Sequence, residues 1–222
     1  GRGRDDDAAV RAHYAIVMGM IDEVAANTRP AGAGLRERAR VQRRRAMVEA
    51  ALALFADRGY QKVTVADICA DAQVSPRTFF RYFATKDDLL AEPAKEMYDE
   101  LVRAIADAPD ELDAPQTMGF ALTELGEYVL ENRARLVTFF RVIAENEIGR
   151  SQAFSRFFDI EHDLARILAA RHAHTPTPSP DWQTRVIVGR GLAAYRVWLD
   201  DLIGLEPGQR PTPLDEILRY TA

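Results

Sequence analysis

The stretch Val63-Thr-Val-Ala-Asp-Ile-Cys-Ala-Asp-Ala-Gln-Val-Ser-Pro-Arg-Thr-Phe-Phe-Arg-Tyr-Phe-Ala-Thr-Lys-Asp-Asp88 decides how this chain folds. Thr64 is followed three residues later by Asp67, a capping-box spacing that starts a short helix. Ser75 precedes Pro76, so a second helix begins with a side-chain cap and with proline where the missing N–H has no helical partner anyway. Thr85 and Asp88 repeat the capping box and start a third helix. The spacing admits two short helices joined by a tight turn, followed by a longer one. The second short helix carries Arg77, Thr78, Arg81 and Tyr82. A helix, a short turn and a second helix of this character form the arrangement that presents a helix to the DNA major groove.

Charge supports this reading once its distribution is considered. The whole chain has a net charge of −5. Between Arg36 and Lys86, however, eleven basic residues face five acidic ones, for a local +6. A basic end on an acidic body is an electrostatic footprint for DNA at one end only.

Composition narrows the class further. A chain of 222 residues, 47% hydrophobic, suits one large domain or a small domain joined to a larger one. No apolar run reaches the length of a membrane span, and Asp5, Asp6 and Asp7 stand where a signal peptide needs basic residues, so a cytoplasmic protein with no membrane partner is expected. The single cysteine, Cys69, excludes an internal disulfide and any multi-cysteine metal site, and reads as a small buried side chain. His172 and His174 straddle a helix end and a Pro-rich loop, without clustered carboxylates, and do not make a metal site. No phosphate-cradling Gly-rich loop and no nucleophile elbow is present. Neither an enzymatic activity nor a cofactor is expected.

Apolar periodicity organises the remainder. Residues 1–35 form an extension, with an amphipathic helix over 8–27 carrying Tyr14, Val17, Ile21 and Val24 on one face, and a linker from Arg29 to Gly34. A helix runs from Arg36 to a left-handed cap at Gly59. Beyond the short helices, others are expected over 86–108, 115–131, 133–147, 150–172 and 181–203, with a short last helix after Thr212. The break between the second and third of these rests on Asn132 alone. Pro176, Pro178 and Pro180 exclude a helix over 174–180. No alternating pattern suggests a sheet. The expectation is an all-α fold: a DNA-binding unit over 36–85 and a regulatory and dimerisation body over 86–222.

The chain resembles the TetR family of bacterial helix-turn-helix transcriptional regulators. The resemblance lies in Ala46–Tyr60 and Val63–Leu90, about a fifth of the chain, through Leu54-Phe55, Gly59-Tyr60, Thr64-Val65, Ile68-Cys69-Ala70, Val74-Ser75, Thr78, Tyr82-Phe83 and Lys86. Family members commonly have Tyr where this chain has Phe80, which lacks a hydroxyl for a phosphate. Past Leu90 the likeness is architectural. It implies an all-helical homodimer on a pseudo-palindromic operator, usually released when a small molecule binds the C-terminal body.

Candidate DNA contacts follow from residue chemistry. Arg77 and Thr78 sit in the first turn of the second short helix, where side chains reach base edges: Arg pairs with guanine, and the Thr methyl meets a thymine methyl. Tyr82, Lys86 and Thr64 suit phosphate contacts, Arg81 and Ser75 complete the DNA-binding set, and Arg43, Arg44 and Arg45 form a basic arm for the backbone or minor groove. Phe79 and Phe83 read as the core of the unit.

For the body, Met97, Leu101, Leu125, Tyr128, Phe139, Ile143, Phe154, Phe158, His162 and Tyr195 are candidates for an apolar cavity that takes a small apolar or amphipathic effector. Val186, Ile187, Leu192, Tyr195 and Leu199 are candidates for the dimer face. Two alternatives stay open: a DNA-binding regulator that is effector-free or activating, and a helical small-molecule-binding protein or enzyme with a vestigial DNA end.

Overall fold

The computed structural model describes residues 35–144, 153–172, 180–206 and 209–221. Among these are nine α-helices and no strand, as expected. The helix expected over 8–27 and its linker lie outside the described residues.

Helix α1, Leu35–Arg58, is polar in its first half and turns apolar in its second, where Met47, Val48, Ala51, Leu52 and Phe55 are buried at three- and four-residue spacing. It stops at Gly59, whose N–H donates to the Phe55 carbonyl at 2.9 Å. Gly59 has φ 80° but ψ 143°. The expected left-handed cap is thus an extended, positive-φ conformation that is essentially open to glycine alone.

Helix α2, Val65–Asp71, begins on the expected capping box. Thr64 Oγ1 accepts from the Asp67 N–H at 3.2 Å, and Asp67 Oδ2 accepts from the Thr64 N–H at 2.8 Å. The turn that follows is closed by the Val74 N–H on the Cys69 carbonyl, 2.9 Å, with Gln73 at φ 53°.

Helix α3, Pro76–Phe79, starts where Ser75 Oγ accepts from the Thr78 N–H at 3.1 Å. It is shorter than the sequence implies. Arg81 and Tyr82 fall beyond it, in turns closed onto the Thr78 and Phe79 carbonyls at 3.2 and 2.8 Å. The reason lies in packing: the tighter turns bring Phe83 back beside Phe79, ring centroids 5.7 Å apart, and both rings are buried.

Helix α4, Asp87–Asp107, follows the expected Thr85–Asp88 pair, whose reciprocal bonds measure 2.9 and 3.4 Å. Pro93 lies inside it and cannot donate to the Leu89 carbonyl. Its last carbonyls, which have no partner within the helix, are taken by the Arg171 guanidinium, 2.8 Å from the Ala106 oxygen and bonded to that of Ala108.

The body continues with α5, Ala114–Glu131; α6, Arg133–Ala144; α7, Ala153–His172; α8, Trp182–Gly204; and α9, Leu214–Leu218. The break at Asn132 is real: its backbone and side-chain N–H groups both donate to the Tyr128 carbonyl, at 3.1 and 2.8 Å. Helix α4 packs most extensively on α5, and α8 packs on α5, α7 and α9. Gly191 allows α8 to approach α5, since a Cβ there would stand 2.9 Å from Leu122 Cδ1.

Helix α1 reaches past its own unit onto α4 and α6. One continuous apolar core therefore runs from Met47 to Leu214. No described helix is long and apolar enough to cross a membrane.

Candidate nucleic-acid interface

The two side-chain caps fix the start of α3, and with it the direction of Arg77. Arg77 and Arg81 are exposed, and Thr78 Oγ1 lies 3.0 Å from Ser75 Oγ. The Arg81 guanidinium stacks 5.3 Å from the Tyr82 ring, whose body packs on the core. Phe80, between the two arginines, is 58% exposed, with its ring edge-on to Phe79. Thr64, Ser75, Arg77 and Arg81 thus share the outer surface of one small unit. Behind them Cys69 is buried and its thiol is pushed up by that burial.

Two expected DNA contacts are engaged elsewhere. The Lys86 ammonium turns inward, donating to the Tyr60 and Val63 carbonyls at 2.9 and 3.1 Å, and sits 4.2 Å over the Tyr60 ring. It therefore ties α4 to the loop before α2, and one of its three N–H bonds remains for any phosphate.

Arg44 does not belong to an exposed arm. Its guanidinium is bonded through Nε and Nη2 to the carboxylate of Glu92, itself 7% exposed, and lies 4.8 Å over Phe83. Hydrogen bonding to Glu92 holds the Arg44 pKa above its usual value. This ion pair joins α1 to α4 across 48 residues. Arg43 remains exposed, and Arg45 divides its guanidinium between Glu49 at 2.9 Å and the Asn132 side chain at 3.3 Å. Glu92 was missed in the sequence, although a carboxylate three residues after Leu89, on the buried stripe of α4, was a readable signal.

In the body, Met97, Leu101, Leu125, Phe139, Ile143 and Tyr195 are buried together in the core. Tyr128 is half-buried, and the side chains of Phe154 and Phe158 lie outside the described residues. His162 is exposed on α7, so it is corrected from cavity lining to surface. A separate pocket of about 480 Å³ opens between α5, α8 and α9, lined by Met118, Leu122, Ile187, Gly191 and Leu218 with Arg190 at its edge. None of the eight cavity candidates with described side chains lines it.

The residues expected at the dimer face coincide only in part with the apolar stripe that α8 exposes. Leu192, Tyr195 and Leu199 are buried, whereas Trp182, at 70% exposure, Val186, Ala193 and Val197 form the exposed stripe.

The sequence profile described as "Bacterial regulatory proteins, tetR family" matches residues 47–92, the capped unit together with its Arg44-gripping Glu92. Over these residues the chain is similar to the TetR family. Regulators of this family are not enzymes, and this chain is a DNA-binding transcriptional regulator.

The HTH-type transcriptional regulator TcmR of Streptomyces glaucescens is 29% identical over 182 residues, covering 79% of this chain and 80% of TcmR. The HTH-type transcriptional repressor LfrR of Mycolicibacterium smegmatis is 28% identical over 74% of this chain and 83% of its own. The solved structure of a transcriptional regulator from Aquifex aeolicus VF5 shares the fold, with a TM-score of 0.53 at 20% identity over 81% of this chain and 96% of that one.

Proposed function

We propose that this regulator is a homodimeric repressor that leaves its operator when a small amphipathic molecule enters the body. The observation that carries the reading is the ion pair between Arg44 and Glu92. It makes the DNA-binding unit, 36–85, a mechanical neighbour of α4 in the body, 86–222. A change in α4 then moves the unit bearing Arg77, and two such units misalign with half-sites one DNA turn apart. The energy required is modest: a coupling of about 1–3 kcal/mol changes affinity roughly 5–150-fold.

Dimerisation is supported by the exposed stripe on α8. Ala193 stands between its larger members and lets two copies of the helix approach closely. Arg77 reads a base edge, and Arg43, Arg81 and the capped Thr64 end position the unit on phosphates.

The test is fluorescence anisotropy of the operator complex, titrated with amphipathic compounds at fixed salt. Release by at least one compound, with DNA affinity falling steeply as salt rises, is the expected result. Salt-dependent binding that no compound alters would leave an effector-free regulator.

A further inference from the structure

We propose that Arg135 anchors the acidic head of the effector, so that the ligand is an apolar molecule carrying one carboxylate; this rests on the effector-release reading above. Arg135 begins the buried face of α6, and its side chain is 10% exposed. Its Nη2 donates to the Glu96 carboxylate and, at 3.0 Å, to the Tyr128 hydroxyl, which itself donates to Glu96 at 3.0 Å. Among the described residues, Arg135 Nε and Nη1 are buried without a partner, and so is the Tyr195 hydroxyl on α8. Buried donors of a charged group are rarely left unspent, and leaving them so is costly. What remains at Arg135 is donors only, on a cation, which calls for an acceptor bearing negative charge.

The tyrosines keep the same sign. Burial pushes the Tyr128 hydroxyl up to about 12 and that of Tyr195 higher still, so both stay protonated at neutral pH. Glu96 already offsets part of the single positive charge. The arrangement therefore suits a monoanion better than a phosphate dianion. Around it the helices are apolar: Leu125 and Val129 flank Tyr128, Phe139 lies one turn past Arg135, and Leu192 and Leu199 bracket Tyr195, all buried. A carboxylate with an apolar body matches both halves of this setting.

The same residues explain how such a ligand is felt at the DNA. Glu96 lies one turn along α4 from Glu92, which holds Arg44 of α1. Asn132, which accepts from Arg45 of α1, also donates to the Tyr128 carbonyl. A carboxylate on Nε and Nη1 shares the Arg135 charge with Glu96 and so weakens the hold of Arg135 on α4 at that turn. Pro93 stands between the two glutamates, where the helix lacks one backbone hydrogen bond.

The experiment uses the full chain and the natural sequence first. Octanoic, decanoic and dodecanoic acids and 2-naphthoic acid are compared with their methyl esters and primary alcohols, with binding read by calorimetry and DNA release by anisotropy. At least one acid should bind about tenfold or more tightly than its ester and alcohol. That preference should vanish in Arg135→Met, shrink in Tyr195→Phe and return in part in Arg135→Lys. Esters and alcohols binding as well as acids would overturn the carboxylate anchor while leaving an effector-released regulator in place. An acid preference that survives in Arg135→Met would overturn the assignment to Arg135. No binding by any member of the series would overturn the anchor, and loss of the effector reading would then require the wider compound titration to fail as well.

Discussion

At the scale of single residues, DNA contact depends on which arginines are exposed. Arg77 is exposed at the start of a capped helix, whereas Arg44 is held by Glu92. Arg77→Ala should cost about 1–3 kcal/mol of operator affinity and relax preference at one base pair of each half-site. A base-substitution series read by anisotropy checks this; an even loss across all bases would place Arg77 on phosphate. Gly59→Ala tests the backbone. Open space surrounds a Cβ there, so its cost is conformational, about 1–3 kcal/mol, seen as a lower midpoint in denaturant. Thr64, Ser75 and Asp67 were legible in the sequence because capping acts over three residues. The partners of Arg44 and Lys86 were not, because they come from 48 and 23 to 26 residues away and depend on how helices pack.

At the scale of elements, α8 shows both what periodicity settles and what it leaves open. Its span was readable from the apolar pattern, but its apolar residues cover most of its circumference. Which stripe faces the core was decided by α5, through the contact of Gly191 with Leu122. The break at Asn132 was legible for a local reason, since its amide closes the turn. The length of α3 was not, because the Phe79–Phe83 packing sets it. Near the end of α8, burial and then Asp201 raise the Asp200 carboxyl to about 6, against the pull of Arg196. An unfolded Asp titrates near ~3.9, so the folded chain holds this proton more tightly. Stability falls as pH rises between roughly 4 and 6 on account of this group and is level above. Asp200→Asn should therefore raise stability at neutral pH by on the order of 1 kcal/mol, given its half exposure, and change little near about pH 4. Thermal melts at the two pH values give the answer; an equal gain at both would remove Asp200 as the cause.

At the scale of the whole molecule, the capped unit, the α1–α4 ion pair and the α8 stripe fit the two-fold regulator proposed above. Replacing Val186 and Val197 with Glu on the exposed stripe should yield a folded monomer by light scattering, with operator affinity reduced by more than tenfold. A dimer of undiminished affinity would move the interface elsewhere. The central claim, that two copies read one symmetric site, is met most directly by selecting bound fragments from a random DNA pool. The account predicts an enriched inverted repeat with half-site centres about one helical turn apart, roughly 34–36 Å. Enrichment of a single asymmetric element, or of none at all, would contradict it.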